Sequence, residues 1–135
     1  MSAPIELLQR VPLFKGLSEK QLRNLSSEFT ERQFTAGKEL TAEGAGGAGF
    51  FVIESGTAEV TVEGEKRGTL GPGEFFGEIA LIDGGTRTAT ITATSDGVAY
   101  GLTKWQFKPL VEGNGEIAWP LLETMARRTR ELEQR

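Results

Sequence analysis

The chain contains neither cysteine nor histidine. Lack of cysteine excludes a disulfide framework, thiolate metal sites and cysteine nucleophiles; lack of histidine removes the usual general base and the commonest metal ligand. Positive charge is not in excess either. Against 19 Asp+Glu stand 15 Lys+Arg, a formal net charge of -4, which argues against bulk electrostatic binding to nucleic acid or anionic membrane and leaves only a local basic patch to be sought by position. Long apolar runs are missing as well. Phe50 to Ile53 is far short of the ~18 residues of a spanning helix, and the opening MSAPIELLQRVP lacks the basic-then-apolar order of a signal peptide. These absences predict a cytoplasmic protein that is not an enzyme, with no catalytic residues, no metal site and no membrane or direct nucleic-acid contact.

What is present suits one compact domain spanning 1–135. With 135 residues and 38% hydrophobic composition, a core can form without disulfides or a structural metal. Residues 4 to 28 carry Ile5, Leu7, Leu8, Val11, Leu13, Phe14, Leu17, Leu22 and Leu25, and Ser18 followed by Gln21 reads as a capping box. Short helices are therefore expected over 1–28. From Phe29 the pattern changes to FTERQF, KELTA, GFFVIE, TAEVTVE, RGTLG, TATITATS and VAYGLT, short segments rich in Thr, Val, Ile and Phe, several of them alternating. Fifteen of the 18 glycines lie between Gly37 and Gly101, which puts turns between those segments and predicts an antiparallel sandwich or jelly roll over 29–103.

Helical spacing returns over 104–135. Lys104 to Glu112 reads as a short helix, Gly113-Asn114-Gly115 breaks it, and a longer helix follows that either starts near Pro120 or kinks there. Leu122, Met125, Thr129 and Leu132 make one stripe, expected to pack on the core, with a dimer seam or ligand lid as the alternative. Two motifs are set aside. Gly44 to Gly49 fits G-x-G-x-x-G but precedes a β-rich run instead of opening a helix, so it reads as a hairpin loop. Asn24-Leu25-Ser26 fits a glycosylation acceptor but lies in an expected helix with no secretory signal before it.

The stretch Leu70 to Ala93, LGPGEFFGEIALIDGGTRTATITA, interrupts the strands. After the Gly71-Pro72-Gly73 turn and the apolar anchors Phe75 and Phe76, Gly77 to Ile82 is long enough for about one and a half helical turns. A short helix opening at glycine presents free backbone N–H groups to an anion such as a phosphate. Arg87, just past Gly84-Gly85, can fold back on the same spot with a planar fork suited to two phosphate oxygens. Glu78 repels a phosphate but can accept hydrogen bonds from a sugar hydroxyl beyond it. A phosphate beside a sugar is a nucleotide. Taken singly each residue has an ordinary role, Arg87 as a solvated turn arginine and Glu78 as a first-turn charge; only their order and spacing point to a site.

FFGEIALIDGGTRTAT resembles the phosphate-binding cassette of the cyclic nucleotide-binding domain family, whose pattern is F-G-E-[IL]-A-L, a short Gly-containing turn, then R-[TSA]-A. FFVIESGTAEV, VPLFKGLSEKQLRNL and ETMARRTREL resemble the family's strand-turn-strand, N-terminal helical segment and C-terminal helix. The resemblance implies an eight-stranded antiparallel β-roll, mainly β with N-terminal helices and a C-terminal lid helix, and a cassette at 75–89. It further implies that Arg87 pairs with the cyclic phosphate, helped by the N–H groups of Ala80 and Thr88. Glu78, beside the Gly77 backbone, takes the ribose 2′-hydroxyl, and Ile79 and Ala89 complete the cassette's ligand-binding set. MARR at 125–128 resembles a helix of the family, and that resemblance implies Arg128 near Glu78 and Leu132 near the base. The nine positions from Glu78 to Arg87 match the kinase regulatory-subunit branch.

Cyclic AMP is the favoured ligand, with no other cofactor; Thr88 keeps cyclic GMP open, since its hydroxyl can accept from the guanine 2-amino group. The chain is then expected to be a stand-alone sensor or regulatory module whose C-terminal helix rearranges on binding, with a homodimer or protein effector as partner through that helix. The alternatives are a degenerate fold used as an interaction or dimerisation module, or a fragment of a transcription regulator, since no helix-turn-helix follows before Arg135.

Overall fold

The computed structural model describes residues 3–11, 14, 17–41, 49–76, 89–113 and 115–133. Two helices come first, α1 (Ile5–Gln9) and α2 (Glu19–Glu28). The capping box is present: Gln21 N–H donates to Ser18 Oγ at 3.2 Å while Ser18 N–H donates to Gln21 Oε1 at 2.8 Å. The two reciprocal bonds occupy donors that the first helical turn leaves without partners. Buried Ser26 donates its hydroxyl to the Ala3 carbonyl, which fastens the N-terminus across α2.

Eight strands follow among the described residues: β1 (Thr30–Phe34), β2 (Glu39–Thr41), β3 (Gly49–Ser55), β4 (Ala58–Val62), β5 (Glu65–Leu70), β6 (Phe75–Phe76), β7 (Thr90–Ala93) and β8 (Gly97–Thr103). They form two four-stranded sheets, ordered β1-β8-β3-β6 and β2-β7-β4-β5, and every pairing is antiparallel. This is the antiparallel β-roll expected from the alternating segments. Only β6 departs from that reading. Phe75 and Phe76 were expected as apolar anchors in an interruption; they are anchors that also pair with Val52 and Phe51.

Alternation along β3 divides the apolar residues between two cores. Phe50 and Val52 face the helices, joining Leu8, Val11, Phe14, Leu25, Phe29, Tyr100, Leu102 and Phe107 in one buried cluster. Phe51 and Ile53 face the space between the sheets, with Phe76, Ala58 and Ile91. One strand thus fastens the helical layer to one side of the roll and the second sheet to the other. At the far end of β3 the Gly56 turn and Gly97 pack so closely that a Cβ on Gly97 would sit 2.2 Å from the Ser55 carbonyl, so only glycine fits there.

Two helices end the described chain, α3 (Lys104–Glu112) and α4 (Gly115–Glu133). A second capping box starts α3, with Gln106 N–H donating to Thr103 Oγ1 and Thr103 N–H to Gln106 Oε1. A start near Pro120 does not hold: α4 begins at Gly115 and carries Pro120 inside it. At the sixth position proline removes one ladder hydrogen bond, and the ring lies close enough to the N-terminus for the helix to continue. The expected core stripe is also corrected. Ile117 and Leu121 are buried and Met125 packs against the helical core, whereas Leu122 is 58% exposed and Thr129 is exposed. Spacings of four, 117-121-125, follow the helix face that the core covers, and Leu122 sits on the next face round.

Tyr100 is buried among the helix-side residues, opposite Glu31 in register. Burial pushes its hydroxyl above the ordinary 10.0; the Glu54 and Glu31 carboxylates and a hydrogen bond to Glu31 act in the same direction. The raised value means that the neutral ring contributes stability below about pH 10 and that this is lost as pH rises through the folded-state value. Because Tyr100 is the only tyrosine, phenolate absorbance reads it alone. The unfolding midpoint is expected to fall above pH 10 in the wild type and to fall less in Tyr100→Phe; equal declines would contradict this placement.

Candidate functional site

The strand ends define where the candidate site belongs. Thr41, at the end of β2, pairs with Ile91 near the start of β7, and its Oγ1 donates to the Ala89 carbonyl at 3.3 Å. Phe76, at the end of β6, pairs with Phe51 near the start of β3. The strand ends that flank 42–48 and 77–88 therefore lie at one end of the roll, in each case one in either sheet. Thr61 opposite Thr90 brings the β4–β5 hairpin to that end, and Gly49 opposite Thr103 brings the start of α3 there as well. The resulting frame has a hydroxyl-bearing strand end, the end of β6, the start of β7 and the start of α3 at one end of the roll.

The entry to 77–88 is held firmly. Gly73 N–H donates to the Ile53 carbonyl at 2.8 Å and Ile53 N–H to the Glu74 carbonyl at 2.9 Å. The Glu74 carboxylate accepts from Gly71 N–H at 2.9 Å, closing a turn in which Gly73 has φ +86. A left-handed backbone there requires glycine. Phe76 then stacks on Phe51, ring centroids 5.3 Å apart and planes at 23°, while Phe75 turns to the helix side against Phe50 at 5.6 Å. One phenylalanine thus anchors each face of the strand that leads into 77–88.

Gly77, Glu78, Ile79, Ala80, Arg87 and Thr88 lie outside the described residues, as does the expected hairpin loop at 44–48. Ala89 is described, half-buried and bonded to Thr41. Arg128 and Leu132 fall on α4, with their side chains outside the described set. Among the described residues no group of three or more metal-ligating side chains is found, and no helix is long and apolar enough to cross a membrane. Thr41 went unremarked in the sequence; its only signal was a β-branched hydroxyl residue at the end of a short strand.

Comparison with known proteins agrees with this frame. The sequence profile of the cyclic nucleotide-binding domain matches residues 31–114, from β1 through α3. The cyclic AMP receptor protein of Thermus thermophilus is 32% identical over 127 residues, 90% of this chain and 59% of that protein. A cGMP-dependent protein kinase of Eimeria tenella is 35% identical over 111 residues, 81% of this chain and 11% of the kinase. The solved catabolite activator protein of Thermus thermophilus superposes with a TM-score of 0.83 at 31% identity, covering 91% of this chain and 60% of that one. The chain thus spans less than two-thirds of each. A profile matched over more than half the sequence, on a two-sheet antiparallel roll, makes this chain a member of the cyclic nucleotide-binding domain family.

Proposed function

We propose that the chain is a single cyclic nucleotide-binding sensor domain over 1–135, with helices in 1–28, the roll in 29–103, its cassette at 75–89, and the C-terminal helices in 104–135. The observation that carries this reading is the register that brings the strand ends flanking the Glu78- and Arg87-bearing segment to the end of the roll where α3 starts. Arg87 pairs with the cyclic phosphate, with the N–H groups of Ala80 and Thr88. Glu78 and Gly77 hold the ribose, and Ile79 and Ala89 complete the wall. Leu132 covers the base with Arg128 beside Glu78. The assigned residues include no general base, nucleophile or metal-ligand set able to open a cyclic phosphodiester, which supports retention of the ligand over turnover. The net charge of -4 supports a module that does not itself bind nucleic acid, and a cytoplasmic location belongs to the same reading.

Cyclic AMP is the favoured ligand, and similarity to both a cyclic AMP receptor protein and a cGMP-dependent kinase leaves the base to experiment. On binding, α4 redocks over the filled site, a population shift that requires different affinities in the two helix positions. A second reading rests on Trp119 (66% exposed) and Leu122 on one side of α4: a dimer or effector contact through this helix. Calorimetric titration with cyclic AMP, cyclic GMP and 5′-AMP tests the proposal. A cyclic nucleotide is expected to bind at least tenfold more tightly than 5′-AMP and to change amide exchange in 115–133. No saturable heat with either cyclic nucleotide overturns the reading, and unchanged exchange removes the helix movement.

A further inference from the structure

At the end of the roll away from the strand ends that flank 42–48 and 77–88, where β1 finishes and β8 begins, Phe34 lies opposite Gly97. An open groove of about 650 Å³ runs there past Gln33, Thr35, Lys38 and Asp96. Gln33, Phe34 and Lys38 also line a narrower cavity of about 280 Å³ that reaches inward to Leu40, Phe51, Phe76 and Ala99 and has Arg32 at its edge. A surface groove therefore leads into the space between the sheets through a mouth at the β1–β2 turn and the start of β8, and its floor reaches Phe76 at the first residues of the expected cassette.

The mouth is fixed by hydrogen bonds. Gly37 N–H donates to the Ala93 carbonyl and Ala93 N–H to the Lys38 carbonyl, both at 2.8 Å. Ala36 N–H donates to the Asp96 carboxylate at 2.9 Å. Together they clamp the β1–β2 turn to β7 and to the turn before β8, so a ligand would meet a preformed rim and lose less free energy in ordering it. The floor is apolar and flat: the Phe51 and Phe76 rings stack, and the small Ala99 leaves room above them.

Charge completes the pattern. Arg32 and Lys38 are exposed at this mouth, and among the described residues neither takes part in an ion pair. The Asp96 carboxylate lies on the outer groove, engaged by Ala36. Two cations over a low-dielectric cavity, in a chain of net charge -4, focus a local positive potential that draws an anion.

We propose that this cavity is a second small-molecule site, entered at Arg32 and Lys38 and not through Glu78 and Arg87, and that it takes a planar aromatic carboxylate. The ring lies on the Phe51–Phe76 floor, and the carboxylate meets Arg32 and Lys38. The volume, at the lower edge of the ~300–1,000 Å³ of ordinary ligand pockets, has room for one or two fused rings. A neutral ring would leave the cations unused, and an inorganic anion would leave the floor bare.

The test uses the full chain without cyclic nucleotide, so its result does not depend on the function proposed above. Ligand-observed magnetic resonance titration compares indole-3-carboxylate with the uncharged indole-3-carboxamide. Saturable binding is expected, with the carboxylate at least tenfold tighter. In Arg32→Gln/Lys38→Gln that preference should disappear while the unfolding midpoint stays unchanged, both side chains being exposed. In Arg87→Ala it should persist. Absent saturation, equal affinity for acid and amide, or a preference that survives the double substitution overturns the proposal. So does a preference lost in Arg87→Ala, which would place the probe in the cassette.

Discussion

Arg87→Ala is expected to weaken cyclic nucleotide binding by about 2–5 kcal/mol, roughly thirtyfold to several thousandfold, while leaving the unliganded domain's unfolding midpoint unchanged. The size of the effect comes from what remains after truncation. A cyclic phosphate carries one negative charge whatever the protein does, and removal of the guanidinium leaves that charge desolvated with only backbone N–H groups to meet it. Arg87→Lys is expected to recover little, because an ammonium gives a point charge where a planar fork gives two parallel hydrogen bonds. Thermal unfolding with added cyclic AMP supplies an independent readout. A ligand at one hundred times its wild-type Kd raises wild-type stability by about 2.7 kcal/mol, whereas at the same concentration Arg87→Ala should gain no more than about 0.9 kcal/mol. An Arg87→Ala variant with wild-type affinity would remove the phosphate from this position and the cassette assignment with it.

The roll was largely legible in the sequence because its strands are amphipathic. GFFVIE alternates between two apolar environments, TITA between buried and half-buried positions, and the glycines between Gly37 and Gly101 mark the intervals. The Ser18–Gln21 box announced α2 correctly, and the same chemistry at Thr103–Gln106 could have fixed the start of α3. Two residues cannot display a period, so β6 was invisible as a strand; β3 makes it one by offering backbone partners to Phe75 and Phe76. On α4 the difficulty was different. A helix with apolar residues at 117, 119, 121, 122 and 125 supports more than one stripe, and only packing decides that Ile117, Leu121 and Met125 face inward.

The candidate site was legible for a related reason. Its chemistry is concentrated in one short segment, where Gly77, Glu78 and Arg87 stand in readable order. The groove at Arg32 and Lys38 had no such signal. Its lining comes from β1, β2, β3, β6 and β8, so no window of sequence contains it and only the closure of the two sheets assembles it.

Phe50→Ala should cost about 3–5 kcal/mol, a large fraction of the ~5–15 kcal/mol that holds a domain of this kind together. Phe50 is fully buried and central to the aromatic cluster: Phe14 at 6.1 Å, Phe29 at 6.4 Å, Phe75 at 5.6 Å and Phe107 at 6.5 Å surround it. Phe14 follows α1, Phe29 follows α2, Phe107 belongs to α3 and Phe75 to β6, so a single β3 side chain joins the N-terminal helices, the C-terminal helices and the strand that leads into the cassette. Truncation removes the ring's own transfer free energy, and it opens a cavity that four rings rooted in separate elements cannot close without moving those elements. Trp105→Ala is the matched control. At 81% exposure it removes more side-chain atoms but should change stability by no more than about 0.5 kcal/mol. Urea denaturation of both variants at one temperature checks the pair. A cost below about 1 kcal/mol for Phe50→Ala would mean that the helices do not rest on this face of the sheet.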